Sequence, residues 1–169
     1  GTIWLISCTP QAIFNIFFRN YLGAQDVQLG LLVALVQLTA VFNLLSVLVF
    51  SQKSRRKLFF IIFFALHRIA GFVLAYVAYR SYTGEPNGIT IVFIAICVSM
   101  AMMNAATSGW WEWMADLFPE KTRARFFGRR SSVLNAVNIS WFFIVTLTLD
   151  FVAGNKALLF FAVVFGISA

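Results

Sequence analysis

Charged residues and residues with reactive side chains are scarce in this sequence. Only 11% of its 169 residues are charged, and it has six acidic residues, one histidine and two cysteines. Cys8 and Cys97 lie in apolar runs without a partner at metal-ligand spacing, which favours buried small hydrophobes. Without a metal-ligand cluster, a paired nucleophile and base, or a nucleotide-binding loop, the sequence predicts a protein that is not an enzyme and holds no cofactor or metal.

Apolar residues make up most of the chain. They account for 61% of it, with a mean hydropathy of +0.86, and include twenty phenylalanines and five tryptophans. A soluble domain is nearer half apolar and a quarter charged. The composition therefore predicts a protein whose solvent is lipid, with aromatic side chains at lipid-facing surfaces and interfaces.

The apolar residues fall into long runs separated by short breaks of glycine, proline, asparagine and charge. A helix needs roughly 20 apolar residues to cross a bilayer, whereas barrel strands are shorter and alternate. We predict an all-α, polytopic bundle in one domain, 1–169, with transmembrane helices at about 3–18, 27–50, 58–79, 89–118, 131–149 and 157–169. Because the chain begins with glycine and its last apolar run is cut off, we expect a segment of a longer protein.

Basic residues are concentrated in two of the predicted loops. Loops 51–57 and 119–130 lie on the same side of the predicted bundle and carry nine basic residues against one acid, while the other side carries three of each sign. The positive-inside rule puts these loops and the N-terminus in the cytoplasm, for a protein expected in the plasma (inner) membrane. Topology and contact with anionic lipid explain the basic residues, and no soluble basic domain presents them to nucleic acid.

Polar side chains recur inside the apolar runs, although a helical backbone already satisfies its own hydrogen bonds there. In the first and fourth helices they are spaced i, i+4 and so share one face. The residues predicted to line a solute path are Gln11, Asn15, Arg19, Gln37, Asn104, Ser108, Glu112, Asn135 and Asn138. An interhelical hydrogen bond explains each one alone. Together they favour a water-filled cavity lined by helices one, two, four and five.

Arg68 is the most unusual single residue, because it lies ten residues into the third predicted helix. This is near mid-bilayer, where a charge costs at least ~2.5 kcal/mol. We predict that Glu112, on the neighbouring antiparallel helix, pairs with it directly or through water. Two interpretations stay open: a static ion pair, and a pair that breaks as the protein changes state or takes up a proton. The adjacent His67 is interpreted as a hydrogen-bonded core residue rather than a proton relay.

The stretch from 109 to 130 links the fourth helix to the second basic loop. Its three tryptophans fall at the depth expected of an interfacial aromatic belt. Its acidic residues, Glu112 and Asp116, are expected near the cytoplasmic mouth. We predict that Asp116 and Arg123 form a structural or gating pair.

This stretch resembles the loop after helix four of the major facilitator superfamily. The family's acid, proline, arginine and later glycine correspond to Asp116, Pro119, Arg123 and Gly128, with Ala124 where a further glycine is expected. In the loop after helix two, Arg55 and Arg56 match the paired arginines of the family signature. Val47, Ser51 and Ser54 stand where that signature has glycine, aspartate and glycine. Residues 20–32 also resemble the family's passage from helix one to helix two.

The resemblance implies the N-terminal six-helix half of a secondary transporter. Such a protein would move a small solute, unidentified here, by alternating access around a midplane site. Its partners would be the lipid bilayer and the C-terminal half of the same protein or a partner membrane subunit. The coupling or gating residues would be Arg55, Arg56, Arg68, Glu112, Asp116 and Arg123, and helix three would be peripheral. A non-transporting membrane scaffold or assembly subunit of the same fold is the alternative.

Overall fold

Helices form all the regular structure that the computed structural model describes. It describes residues 7–8, 11–44, 56–85, 88–152, 154 and 156–169, and within them every side chain other than those of Arg56, Ser108, Glu112 and Ala115. The helices are α1 (Ala12–Ile16, continued by the π-helix Phe17–Tyr21), α2 (Asp26–Leu38, continued by the 3₁₀ turn Thr39–Val41), α3 (Arg56–Tyr82), α4 (Ile89–Leu117), α5 (Glu120–Phe151) and α6 (Lys156–Ser168). The all-α prediction is confirmed for these residues.

Four helical stretches are long and apolar enough to cross a membrane. They comprise Asp26–Leu44, nearly all of α3, most of α4 and the whole of α5, while α6 is apolar but has 13 residues. These helices are compatible with an integral membrane protein. The six spans and the cytoplasmic N-terminus stay predictions.

The end of α3 shows how local chemistry sets the helix boundaries. Gly84 adopts a φ of +88°, a left-handed conformation that glycine reaches without the steric penalty of a side chain. The turn lets the Glu85 N–H donate to the Arg80 carbonyl oxygen at 3.1 Å, and the two side chains form an ion pair. The chain therefore reverses here, so that α4 runs antiparallel to α3.

The predicted loop 119–130 is helical, and this corrects the sequence analysis. Pro119 caps the helix, and α5 runs unbroken for 32 residues from Glu120. Proline is tolerated at a helix start because no N–H is needed there, and an acid in the first turn complements the helix dipole. Lysine and arginine are also good helix formers, so the low hydropathy of residues 120–130 does not interrupt the helix.

The core is built around α3, α6 and the π-helical end of α1. α3 packs along both α4 and α6, so it is central among the described helices rather than peripheral. Phe17 of the π-helix is fully buried, with ring centroids 5.2 Å from Phe161 and 5.0 Å from Phe165 of α6. This aromatic cluster fixes α6 against the N-terminal part of the chain.

The outer surface of the bundle is strongly apolar. Large hydrophobic side chains such as Phe72, Ile94, Phe143 and Leu147 are more than half exposed on α3, α4 and α5. Val145 is the one residue of α5 that is buried among its described side chains. A soluble protein rarely exposes apolar surface on this scale, whereas lipid solvates it without cost.

Candidate functional site

A cavity of about 270 Å³ lies between α3, α4 and α5. Each of the three helices contributes to its wall. Its lining residues are Phe60, Phe64, His67, Met103, Ala106, Thr107, Trp110, Trp111, Arg130 and Leu134. The wall is mainly aromatic and aliphatic with a few polar groups, as in most small-molecule sites.

Aromatic rings from α4 and α5 pack together at one end of the cavity. The Trp110 ring lies 4.8 Å from that of Trp111 and 5.9 Å from that of Phe127, between centroids. The Arg130 guanidinium carbon lies 4.7 Å from the Trp110 ring centroid, within cation–π distance. Phe127 and Arg130 are three residues apart and so share a face of α5. The helical start of α5 therefore brings a cation and a ring onto the end of α4.

Farther along the wall lies His67, which forms a buried polar pair with Ser99, a residue outside the cavity lining. The His67 side chain of α3 is 2% exposed, and its Nδ1 lies 2.8 Å from the Ser99 hydroxyl oxygen of α4. The same hydroxyl donates to the His67 carbonyl oxygen at 2.9 Å. The prediction of a hydrogen-bonded core histidine is confirmed. On α4, the Thr107 hydroxyl donates to the Met103 carbonyl at 2.7 Å, so its oxygen can still accept a hydrogen bond.

Arg130 provides the one formal charge among the described lining residues. The described wall otherwise offers aromatic rings, the Thr107 hydroxyl and the His67 imidazole.

The predicted path residues of α1 and α2 do not line this cavity. Arg19 is exposed and forms an ion pair with Asp26, N to O 3.5 Å, at the start of α2. Gln11 and Gln37 are exposed. Hydrogen bonds in the π-helix run from i to i+5, so Arg19 does not continue the i, i+4 stripe of the sequence analysis. These side chains lie at the surface of the described chain.

Asn104 joins two helices instead of facing the cavity. Its Nδ2 donates to the Thr39 hydroxyl oxygen at 2.8 Å, and that hydroxyl donates to the Val36 carbonyl at 2.6 Å. The bond ties α4 to the 3₁₀ turn that follows α2. It is the interhelical hydrogen bond that the sequence analysis gave as the alternative role of each polar residue.

Two asparagines have buried side-chain oxygens without a hydrogen-bond partner. They are Asn15 on α1 and Asn138 on α5, and both residues are half-buried. Such oxygens in a native fold call for water or a bound group. Asn135, by contrast, is exposed on α5.

Arg68 contacts α6. Its Nη1 donates to the Ser168 carbonyl oxygen at 2.6 Å, and its Cζ lies 5.0 Å from the Phe64 ring centroid.

The ring centroids of Phe60 and Trp113 lie 6.1 Å apart, which puts the Glu112 backbone near the level of Phe60. That level is roughly 12 Å along α3 from Arg68. The Glu112 side chain lies outside the described residues, so its pairing with Arg68 stays a prediction.

Two of the predicted gating residues, Asp116 and Arg123, lie where α4 meets α5. Arg123 is half-buried, and its Nη2 donates to the Phe118 carbonyl oxygen at 3.1 Å. Asp116 is exposed in the last turn of α4. Arg55 lies outside the described residues, as do the side chains of Arg56 and Ser108, so the predictions for these residues stay untested.

Sequence reasoning missed most of the cavity wall. Phe60, Phe64, Thr107 and Arg130 were not predicted as site residues, and the tryptophans were assigned to an interfacial belt. The available signal was the stretch FFGRR, residues 126–130, because a helical interpretation would have put Phe127 and Arg130 on one face.

Comparison with known proteins returned no relative. No protein-family model, no curated protein and no solved structure matches the chain. The likeness to the major facilitator superfamily therefore rests on the loop motifs and charge pattern of the sequence.

Proposed function

We propose that the chain belongs to a secondary active transporter that moves a small solute across a membrane by alternating access. In this proposal it is an integral, multi-pass protein of the plasma (inner) membrane, with six spans and the layout of an N-terminal major facilitator half. The observation that carries the proposal is the cavity between α3, α4 and α5, which holds a cation, a hydroxyl and an imidazole among membrane-length helices. Polar groups at that depth are expensive unless they serve a solute, water or one another.

The buried oxygens of Asn15 and Asn138 support the same proposal. Each sits on a helix expected to lie within the membrane and lacks a hydrogen-bond partner. Water or a solute passing between the helices would supply the missing donors. The aromatic and cationic mouth near the α4–α5 junction would then be the cytoplasmic end of the path.

Filling the cavity is expected to stop transport. Ala106 is 2% exposed and lines the cavity, so Ala106→Leu should lower gradient-driven uptake at least tenfold, because the added side chain occupies the solute volume. The measurement is uptake of a panel of labelled small solutes by vesicles containing the full-length protein.

Ala136→Leu makes the same change at an exposed position of α5 and is the matched control, with uptake expected within twofold of wild type. Equal uptake by the two variants would contradict the role of the cavity. A lack of flux for every panel solute would contradict transport itself.

Cysteine labelling tests the proposed orientation. In a protein carrying Cys8→Ala and Cys97→Ala, we expect Thr83→Cys to react with an impermeant maleimide in intact cells. Lys121→Cys should react only after permeabilisation, because the positive-inside rule puts it in the cytoplasm. Both positions are exposed, so access depends on the side of the membrane. Labelling of Lys121→Cys in intact cells would reverse the proposed topology.

A non-transporting scaffold is the second candidate. It is favoured by the exposed polar side chain of Asn135 on α5, a helix that buries Val145 alone among its described side chains. A polar side chain does not face lipid at low cost, so another membrane segment would cover it. Stable co-purification of a membrane partner, together with no solute flux, would favour this function.

A further inference from the structure

We propose that the cavity between α3, α4 and α5 binds a small organic monoanion with a flat aromatic body, whose carboxylate is held by Arg130. The inference rests on the proposed function in that it treats this cavity as the solute site. It goes further by naming the chemical class of the solute and the residue that selects its charge.

The charge of the cavity points to an anion. Arg130 contributes a guanidinium to the wall, and no acid stands beside it among the described lining residues. Its guanidinium carbon lies 4.7 Å from the Trp110 ring centroid. Arg130 is exposed at the mouth, where it would attract a carboxylate and repel an ammonium group.

The Arg130 guanidinium lies over the Trp110 ring, with Cζ 4.7 Å from its centroid. A guanidinium held over a ring face keeps its N–H groups in its own plane, where they are free for two parallel bonds to a carboxylate. Because Trp110 is packed against Trp111 and Phe127, the platform under the guanidinium is fixed before a ligand arrives. Preorganisation of this kind lowers the entropy cost of binding.

The shape of the cavity points to an aromatic body. From Phe60 to His67 on α3 the wall extends roughly 10 Å, and from Met103 to Trp111 on α4 roughly 12 Å. Ring faces from Phe60, Phe64 and the tryptophans suit offset or edge-to-face packing against a second aromatic system. The volume of about 270 Å³ accommodates one or two fused rings with a short substituent, with the rings beyond the guanidinium and toward His67 and Thr107.

Isothermal titration calorimetry of the detergent-solubilised full-length protein tests the inference with three probes of matched shape: 2-naphthoate, 2-naphthol and 2-naphthylmethylammonium. We expect 2-naphthoate to bind at least tenfold more tightly than the other two. Arg130→Gln should remove at least tenfold of that affinity, because it deletes the charge while retaining amide donors. Arg129→Gln is the control, with the same change of net charge one residue away and an expected effect under twofold.

Equal binding of 2-naphthol and 2-naphthoate by the wild-type protein would overturn the inference, and this comparison needs no variant to fold. Dodecanoate provides a second arm: tighter binding of dodecanoate than of 2-naphthoate would assign the cavity to a lipid chain instead. Binding of 2-naphthoate without any vesicle uptake would contradict the transport proposal and leave the inference standing. Uptake of another solute without 2-naphthoate binding would contradict the inference and leave the transport proposal standing.

Discussion

Phe161→Ala is expected to lower the free energy of unfolding by about 2–4 kcal/mol, the largest change among single substitutions considered for stability. The Phe161 ring is fully buried and lies 5.2 Å from Phe17, 5.2 Å from Tyr21 and 5.8 Å from Phe165, between centroids. Removing it leaves a void at the junction of α1 and α6. Within a bilayer the unfolded helix stays in lipid, so the lost packing rather than hydrophobic transfer supplies the cost.

The measurement is thermal or denaturant unfolding of the purified protein in detergent. Phe143→Ala is the matched control, since that ring is 58% exposed on α5 and its removal should change stability by less than about 0.5 kcal/mol. Equal losses for the two variants would mean that the aromatic cluster around Phe17 does not stabilise the fold.

Ser99→Ala is expected to cost about 0.5–1.5 kcal/mol, because it removes one hydrogen bond to a buried imidazole whose Nδ1 also lies 3.1 Å from the Ser99 carbonyl oxygen. His67 and Ser99 are 2% and 1% exposed, and their side chains meet at 2.8 Å between α3 and α4. His67→Leu is expected to cost a similar amount, because it removes the same bond while the Ser99 hydroxyl keeps its bond to the residue 67 carbonyl.

A double-mutant cycle separates these effects. The double variant His67→Leu with Ser99→Ala should be less destabilised than the sum of the single variants, since each single variant already removes the bond between the two side chains. Ser132→Ala, at an exposed hydroxyl that bonds the Gly128 carbonyl, is the control and should change stability by less than about 0.5 kcal/mol. Strict additivity would indicate that the pair makes no specific contribution.

The positions of α3 and α4 were predictable, because a long apolar run in lipid must satisfy its own backbone hydrogen bonds and therefore forms a helix between the polar breaks. The third helix was predicted at 58–79 and the fourth at 89–118, and the observed bounds are Arg56–Tyr82 and Ile89–Leu117. The start of α5 was predicted wrongly, since charge was interpreted as a loop. Hydropathy reports the edge of the bilayer, whereas backbone hydrogen bonding sets the end of a helix, and these differ where basic residues follow Pro119.

The site was harder to predict than the helices. Spacing along one helix shows which side chains share a face, but it does not show which neighbour that face meets. Asn104 meets Thr39, and Arg19 meets Asp26 through a π-helical turn that no periodicity indicated. The cavity is formed by residues of three helices whose contacts depend on packing. Its aromatic members resemble ordinary lipid-facing residues in the sequence.

The unbroken length of α5 has a mechanical consequence. α5 is roughly 48 Å long. Its one buried residue among the described side chains, Val145, lies near its C-terminal end. With Val145 as a pivot, Glu120 is the far end of a lever arm of about 38 Å, so a tilt of about 10° displaces it by about 7 Å. Arg130 lies partway along the same arm, on the cavity wall. A small rotation of α5 would therefore displace Arg130 and the basic segment together, and it would have to carry along or break the contacts of Phe127 and Arg130 with Trp110.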